Sequence, residues 1–362
     1  MTQSDLARMA GVSPATVSLA LRNSPEVSLK TCRRIQTLAK RCGYVPNASA
    51  ANLAAARWAG EEVPFRGVLA FGSGDSGGAD VWKQWATHRK MFEGARARAR
   101  ETGYEIEEFW WHDPALRGRR LSRVLAARGI PGVIWQLVDG VRGADFERMG
   151  FGGLAMSVVG VRYLEAPLHS ATNDQFGSSA LAASRLREAG CRRIGMILDE
   201  RIDWLLDRRF AGGYLTHGGA DLPGGAIPVF TDIQNGPRAA DWIERHEIDG
   251  VLCIPYPFHH HLQSAGIRIP EDVAFAYLDV HEGEPAFGGC AGVDQLHGLV
   301  GAAAVDLVTS QIHRRECGVP ACQRVLLTEG KWCPGWSVSE RSARSEESSL
   351  STRSIARVSP VE

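Results

Sequence analysis

Four residues near the start of the chain, Gly11-Val12-Ser13-Pro14, stop one helix and begin another with almost no chain between them. Glycine takes the left-handed conformation that closes a helix at no steric cost. Serine accepts the free N–H groups of a helix start, and proline suits the first helical position, where its missing N–H has no partner to lose. Upstream, Thr2-x-x-Asp5 has the spacing of a capping box, and Leu6, Ala7, Met9 and Ala10 form an apolar stripe. Val12 seats in the core at the turn. Downstream, Val17, Ala20 and Leu21 share one helix face, with Ala15, Ser18, Leu19 and Arg22 on others. Asn23-Ser24-Pro25 breaks this second helix. Ser28 caps a third, in which Cys32, Ile35, Leu38, Ala39 and Cys42 recur at helical spacing until Gly43 ends it.

Helix, turn of about three residues, capped helix is helix-turn-helix geometry, whose second helix is thin enough to enter a DNA major groove. The plain alternative is a three-helix bundle that binds nothing. Charge leans toward the first reading. Residues 1–58 carry eight Lys/Arg and two acids, a net +6, while the remaining 33 basic and 39 acidic residues give −6, so the neutral total hides a basic head on an acidic body.

The whole run DLARMAGVSPATVSLALRNSPEVSLKTCRRIQTLAKRCGYVPNASAANLA resembles the N-terminal signature of the LacI/GalR family of repressors. The resemblance implies a recognition helix over residues 13–21 and a hinge helix over 47–56. It implies that Pro14, Ala15 and Leu19 face base edges and that Ser13, Thr16, Ser18, Arg22 and Ser28 lie near the DNA backbone. Asn47 opens the hinge, and Leu53 is the wedge that enters the minor groove. Some members carry an arginine where this chain has Leu19. Apolar groups at these positions suit thymine methyls, not bidentate hydrogen bonds, so the operator sequence does not follow from them. The alanine-rich hinge is too short to be a stable helix alone, and is expected to order against its twin and DNA in a homodimer.

Beyond Pro64 short β-rich runs alternate with helical ones: 67–71, 104–111, 132–138, 192–198, 250–254 and 272–279 read as strands, with helices between them. Such alternation argues for parallel sheets covered by helices, with ligands at the carboxyl ends of the strands. The fold expected is an all-α helix-turn-helix head on an α/β body of two lobes, like periplasmic binding proteins. Residues 1–46 form the head, 47–58 the hinge and linker, 62–338 the body for effector binding and dimerisation, and 339–362 a disordered tail.

Looser likeness to the same family runs through the body. It implies that Arg209, in Arg209-Phe210-Ala211-Gly212, and Asp279, ending IPEDVAFAYLD, contact effector hydroxyls. A guanidinium fork and a two-oxygen acceptor are the groups that hold vicinal hydroxyls. Trp82 and Trp135, placed just past strand ends, and Trp204 in a loop, are candidates to stack on a sugar ring, against the alternative that each is a core residue. The chain departs from the family at Pro255-Tyr256-Pro257-Phe258, which puts cleft contacts from that loop in doubt.

The run from Gly72 to Gly78 imitates a dinucleotide loop, a protease GDSGG segment and a hydrolase elbow centred on Ser76. Each fails on context: no acid ends the next strand, no histidine precedes His88, and no helix follows at once. A flexible loop on the cleft rim is the expectation. His259-His260-His261 reads as a polar loop, since consecutive residues cannot all face one ion. No metal, cofactor or enzymatic activity is expected. The eight scattered cysteines lack a CxxC pair, no apolar run reaches about 18 residues, and the N-terminus is too polar for a signal peptide, which places the chain in the cytoplasm without membrane contact. The function expected is an operator-binding transcriptional regulator, a repressor, controlled by a small ligand such as a sugar. The alternatives are an α/β hydrolase using the Ser76 loop and a ligand-binding protein without DNA function.

Overall fold

The computed structural model describes residues 3–21, 27–42, 64–136, 143–160, 168–218, 227–254, 256–281 and 287–339, in two units divided between Pro64 and Phe65. The hinge with Asn47 and Leu53, Arg22, and all of the tail beyond residue 339 lie outside the described residues.

In the first unit helices α1 (Gln3–Ala10), α2 (Pro14–Leu21) and α3 (Leu29–Arg41) enclose a core of Leu6, Ala7, Val17, Ala20, Cys32, Ile35 and Ala39. Gly11 has φ +63°, and Val12 N–H closes onto the Ala7 carbonyl at 3.1 Å. The Ser13 hydroxyl accepts from Thr16 N–H at 3.1 Å, and that of Ser28 from Thr31 N–H at 3.3 Å, so both serines cap their helices. Gln36 of α3 donates to the Ala20 carbonyl near the end of α2 at 3.0 Å, which ties the two helices together. Met9 departs from the expected stripe and is 56% exposed. At about 100° per residue it stands roughly 100° round from the middle of the Leu6–Ala7–Ala10 face.

The second unit holds two sheets. Gly67–Ser73 (β1), Tyr104–Trp110 (β2), Gly132–Gln136 (β3), Ala155–Val159 (β4), His169–Asn173 (β5) and Val325–Thr328 (β10) form the first, all parallel, in the order β2-β1-β3-β4-β5-β10. Ile194–Ile197 (β6), Gly250–Cys253 (β7), Ala274–Val280 (β8), Gly292–Asp294 (β9) and the antiparallel Lys331–Cys333 (β11) form the second, in the order β6-β7-β8-β9-β11. The chain passes between the sheets three times. It leaves β5 for the helix Gln175–Glu188 on the second sheet. It returns from β9 into the helix His297–Arg314, which packs on β3, β4, β5 and the helix Ala86–Glu101. It crosses last between β10 and β11. Apolar clusters line both faces of each sheet. The body is therefore two α/β lobes joined by three crossings.

Four expectations are corrected here. Trp135 lies within β3, fully buried among Trp111, Phe146 and Phe151, where a ring cannot reach a ligand. Its ring also explains Gly72, since a Cβ there would stand 2.2 Å from it. Trp82 is 2% exposed, its ring packed by Phe71 and Phe92 at 5.9 and 5.2 Å. The triple histidine is helical, not a loop. Phe258 and Leu262, one turn apart and buried, fold Phe258–Ser264 onto the lobe and bury His259. Trp204 is likewise on a helix, Glu200–Leu205, and is exposed.

Candidate functional site

In the head, α2 presents Ser13 and Pro14 exposed at its N-terminus, with Thr16 and Leu19 half-buried. Its first-turn N–H groups carry the positive end of the helix dipole, which favours an anion. Exposed Arg8, Lys30, Arg33, Arg34 and Arg41 add positive charge on α1 and α3. The side chains of Ala15 and Ser18 are outside the described set.

In the body, polar side chains gather where strand ends meet the crossings. Ser73, Gln136 and Asn173 end β1, β3 and β5, each buried, and Asp279 and His281 stand at the end of β8. Asn173 donates to the Gln295 carbonyl, and Gln295 donates to the Leu278 carbonyl at 2.7 Å, which binds two crossings to β8. Gln136 donates to the His88 carbonyl at 3.1 Å and keeps a buried amide oxygen that has no hydrogen-bond partner among the described residues. His297, first residue of its helix, places Nε2 2.9 Å from Asp279 Oδ1, and His281 Nε2 lies 3.7 Å from the same oxygen. Thr87 of the first lobe comes within 3.5 Å of His281 Nε2. Burial pushes His88 down to about 4, helped by nearby His297, and burial lowers His281 against the opposing pull of Asp279. Both rings are held toward the neutral form.

A cavity of about 380 Å³ lies instead by the edge strand β2, between Ser73, Asp80, Glu108 and Trp110, and contains neither Arg209 nor Asp279. In the Gly72–Gly78 run, Asp75 Oδ1 accepts from Gly77 N–H at 2.8 Å, and Ser76 is exposed with no side-chain hydrogen bond among the described residues.

Residues 2–47 match the family described as "Bacterial regulatory proteins, lacI family". Over 54 residues the chain is 44% identical to the "Probable HTH-type transcriptional repressor ExuR" of Bacillus subtilis (strain 168), a stretch that is 15% of this chain and 16% of that relative's length. The fold extends the likeness along the chain. A transcriptional regulator CelR–cellobiose complex superposes with TM-score 0.54 at 20% identity, over 93% of this chain and 99% of that one. The lac repressor dimer bound to operator and the anti-inducer ONPF gives 0.54 at 16%, over 94% and 99%. CcpA of Weissella paramesenteroides with bound glucose gives 0.52 at 14%, over 76% and 99%. The head, residues 2–47, thus carries the lacI-family match, and the body shares the fold of those structures.

The two residues that the resemblance implies for effector contact sit on different supports. Asp279 ends a strand. Arg209 opens the helix Arg209–His217 after two non-glycine residues in the left-handed region, Asp207 at φ +59° and Arg208 at +53°. Such a bend is costly and must be held by its surroundings. Buried Asp203 helps hold it, accepting from Ala211 N–H at 3.3 Å, and burial raises that carboxyl above its ordinary range. Among the described residues the buried Arg209 Nε has no acceptor, and no hydrogen bond or ion pair joins Arg209 to Asp279. Sequence reasoning missed His281, His297, Asn173 and Gln295. Only His281 left a signal, two residues from Asp279 at the end of a strand, where period two returns a side chain to the same face.

Proposed function

We propose that this chain is an operator-binding transcriptional repressor, acting as a homodimer, whose DNA affinity is set by a small polyhydroxylated ligand held where its two lobes join. The observation that carries the reading is the head: a capped helix α2 on a basic three-helix unit, within residues that match the lacI family. Pro14, Ala15 and Leu19 would meet base edges, Ser13, Thr16, Ser18, Arg22 and Ser28 the backbone, and Asn47 and Leu53 the hinge region of the site. For the ligand, support comes from buried polar groups without partners among the described residues, the Arg209 Nε and the Gln136 amide oxygen. Such groups cost stability unless something satisfies them. A sugar or sugar derivative fits that donor and acceptor set, and relatives of the same fold are described with cellobiose and glucose. Ligand and DNA would then be coupled reciprocally through lobe movement.

A gel shift of the full chain on DNA from upstream of its own coding region tests this. A specific complex is expected, with log affinity falling by about 0.9 per neutralised phosphate for each log unit of salt. It should respond to at least one sugar that raises the melting temperature. Failure to shift that DNA, or a complex indifferent to salt, would overturn the DNA-binding reading.

A further inference from the structure

Asp279, His281 and His297 bring a carboxylate and two imidazoles to one point at the lobe crossing. Their ligand atoms lie within 4.8 Å of one another, with Asp279 Oδ1 2.9 Å from His297 Nε2 and 3.7 Å from His281 Nε2. Donors around one zinc-sized ion, at about 2.0–2.2 Å from it, stand roughly 3–3.5 Å apart, so the two measured separations already bracket that spacing. Both rings are nine-tenths or more buried, at 5% and 4% exposed. Each also has a buried Nδ1 without a hydrogen-bond partner among the described residues, while its Nε2 edge faces the carboxylate. A structural Asp–His hydrogen bond accounts for His297 alone. It leaves His281 Nε2 3.7 Å from the carboxylate and 3.5 Å from the Thr87 hydroxyl, with its ring packed on Phe287 and His297. A cation between the three side chains would give the carboxylate and both Nε2 atoms one common partner.

We propose that Asp279 Oδ1, His281 Nε2 and His297 Nε2 bind one divalent transition-metal ion and leave its remaining coordination positions open toward the lobe junction. Two imidazoles and one carboxylate favour zinc(II), cobalt(II), nickel(II) or iron(II) over magnesium or calcium, which prefer all-oxygen shells. The three donors come from the end of β8, from His281 just after it, and from the start of His297–Arg314, which packs on the first lobe, so the ion would tie both lobes. Its open positions are where hydroxyl or carboxylate oxygens of a small ligand would bind, and this half of the proposal rests on reading the junction as the effector site. It departs from the expectation of a metal-free chain.

The test uses the full chain, stripped with EDTA, dialysed, and titrated with cobalt(II) while visible d–d absorbance is followed, then with zinc(II) in competition. One cobalt per chain is expected, displaced by zinc. The variants His281→Ala, His297→Ala and Asp279→Asn should each weaken cobalt binding at least tenfold. A His260→Ala/His261→Ala control should not. Circular dichroism and the operator gel shift report whether each variant is folded. Cobalt binding that survives in folded triad variants, or no binding in the wild type, overturns the metal site and leaves the DNA-binding reading standing. If cobalt binds but a sugar's effect on the gel shift is the same with and without EDTA, the open-coordination half fails alone.

Discussion

A Cβ added at Gly301 would stand 1.8 Å from the carbonyl oxygen of Met91, so the helices His297–Arg314 and Ala86–Glu101 touch there backbone to backbone. Gly94 makes the reciprocal approach, its added Cβ 1.9 Å from the Gly298 carbonyl oxygen. A carbonyl held in a helix cannot swing aside as a flexible side chain would. Gly301→Ala should therefore destabilise the body by about 1–2 kcal/mol, because overpacking against backbone falls toward the upper end of roughly 1–3 kcal/mol and outweighs a helix-propensity gain of at most about 1 kcal/mol. Gly298→Ala is the internal control. Its added Cβ meets only the Lys90 carbonyl oxygen at 3.8 Å, an ordinary contact. Urea midpoints should fall for the first variant and hold or rise slightly for the second. Equal midpoints would mean the helices sit further apart than described.

Acid should weaken the body through histidines buried in neutral form. Burial, with neighbouring His260, pushes His259 down to about 4, and its Nδ1 lies 2.7 Å from the Tyr277 hydroxyl. In the unfolded chain the same ring takes a proton near about 6.5. The unfolded state binds more protons between those values, so stability is full above about pH 6.5 and is lost as pH falls toward 4. At pH 5 the loss from His259 reaches up to about 2 kcal/mol, and His88, also pushed to about 4, acts in the same direction. Urea midpoints at pH 7.5 and 5.0 should show the drop, and His259→Gln should shrink it. A pH-independent difference between the two proteins would place His259 in solvent.

The head was the most legible part of the sequence. Ser13, Ser28 and Gly11 carry local chemistry that needs no tertiary information to read, and each has the expected role. The body's alternation gave the parallel sheets but not all their strands. His169–Asn173 is a strand whose His169, Ser170, Thr172 and Asn173 are nonetheless buried, because it lies inside a sheet beside the lobe crossing. Its polar composition conceals it from any hydrophobic pattern. The tryptophans misled for the opposite reason. A large ring near a strand end satisfies a stacking hypothesis and a core equally, and only packing around Trp135 decides. The histidine pair at Asp279 depends on contact between residues 18 apart, closed by a crossing that spacing does not encode.

Arg209→Ala should separate ligand binding from every other property of the body. The residue is absent from the Asp279 cluster, so the variant leaves the histidines untouched. Removing a buried donor from a ligand hydroxyl should weaken ligand binding by about 2–4 kcal/mol, with operator affinity in the absence of ligand unchanged. Calorimetric titration with the first sugar returned by a thermal-shift screen measures the former, and the gel shift the latter. Ordinary ligand affinity in this variant would mean the ligand binds away from the Asp207–Arg209 bend.

Ser13 has two separable duties, and one substitution series can tell them apart. Its hydroxyl accepts from Thr16 N–H at 3.1 Å and lies 2.8 Å from the Thr16 hydroxyl, so it caps α2. In the proposed DNA-bound arrangement the same hydroxyl would lie beside a DNA phosphate. Ser13→Ala removes both contributions, costing about 1 kcal/mol of head stability and weakening operator binding. Ser13→Asp restores a good cap, and its negative charge suits the helix N-terminus, so the head should be as stable as wild type. That charge would now face phosphate, so operator affinity should fall further than in Ser13→Ala, and most steeply at low salt, where repulsion is least screened. Hydrogen exchange over residues 14–21 reads the cap, and gel shifts at two salt concentrations read the phosphate. A Ser13→Asp variant that is stable and binds operator like wild type would remove Ser13 from the DNA interface and leave it as a cap alone.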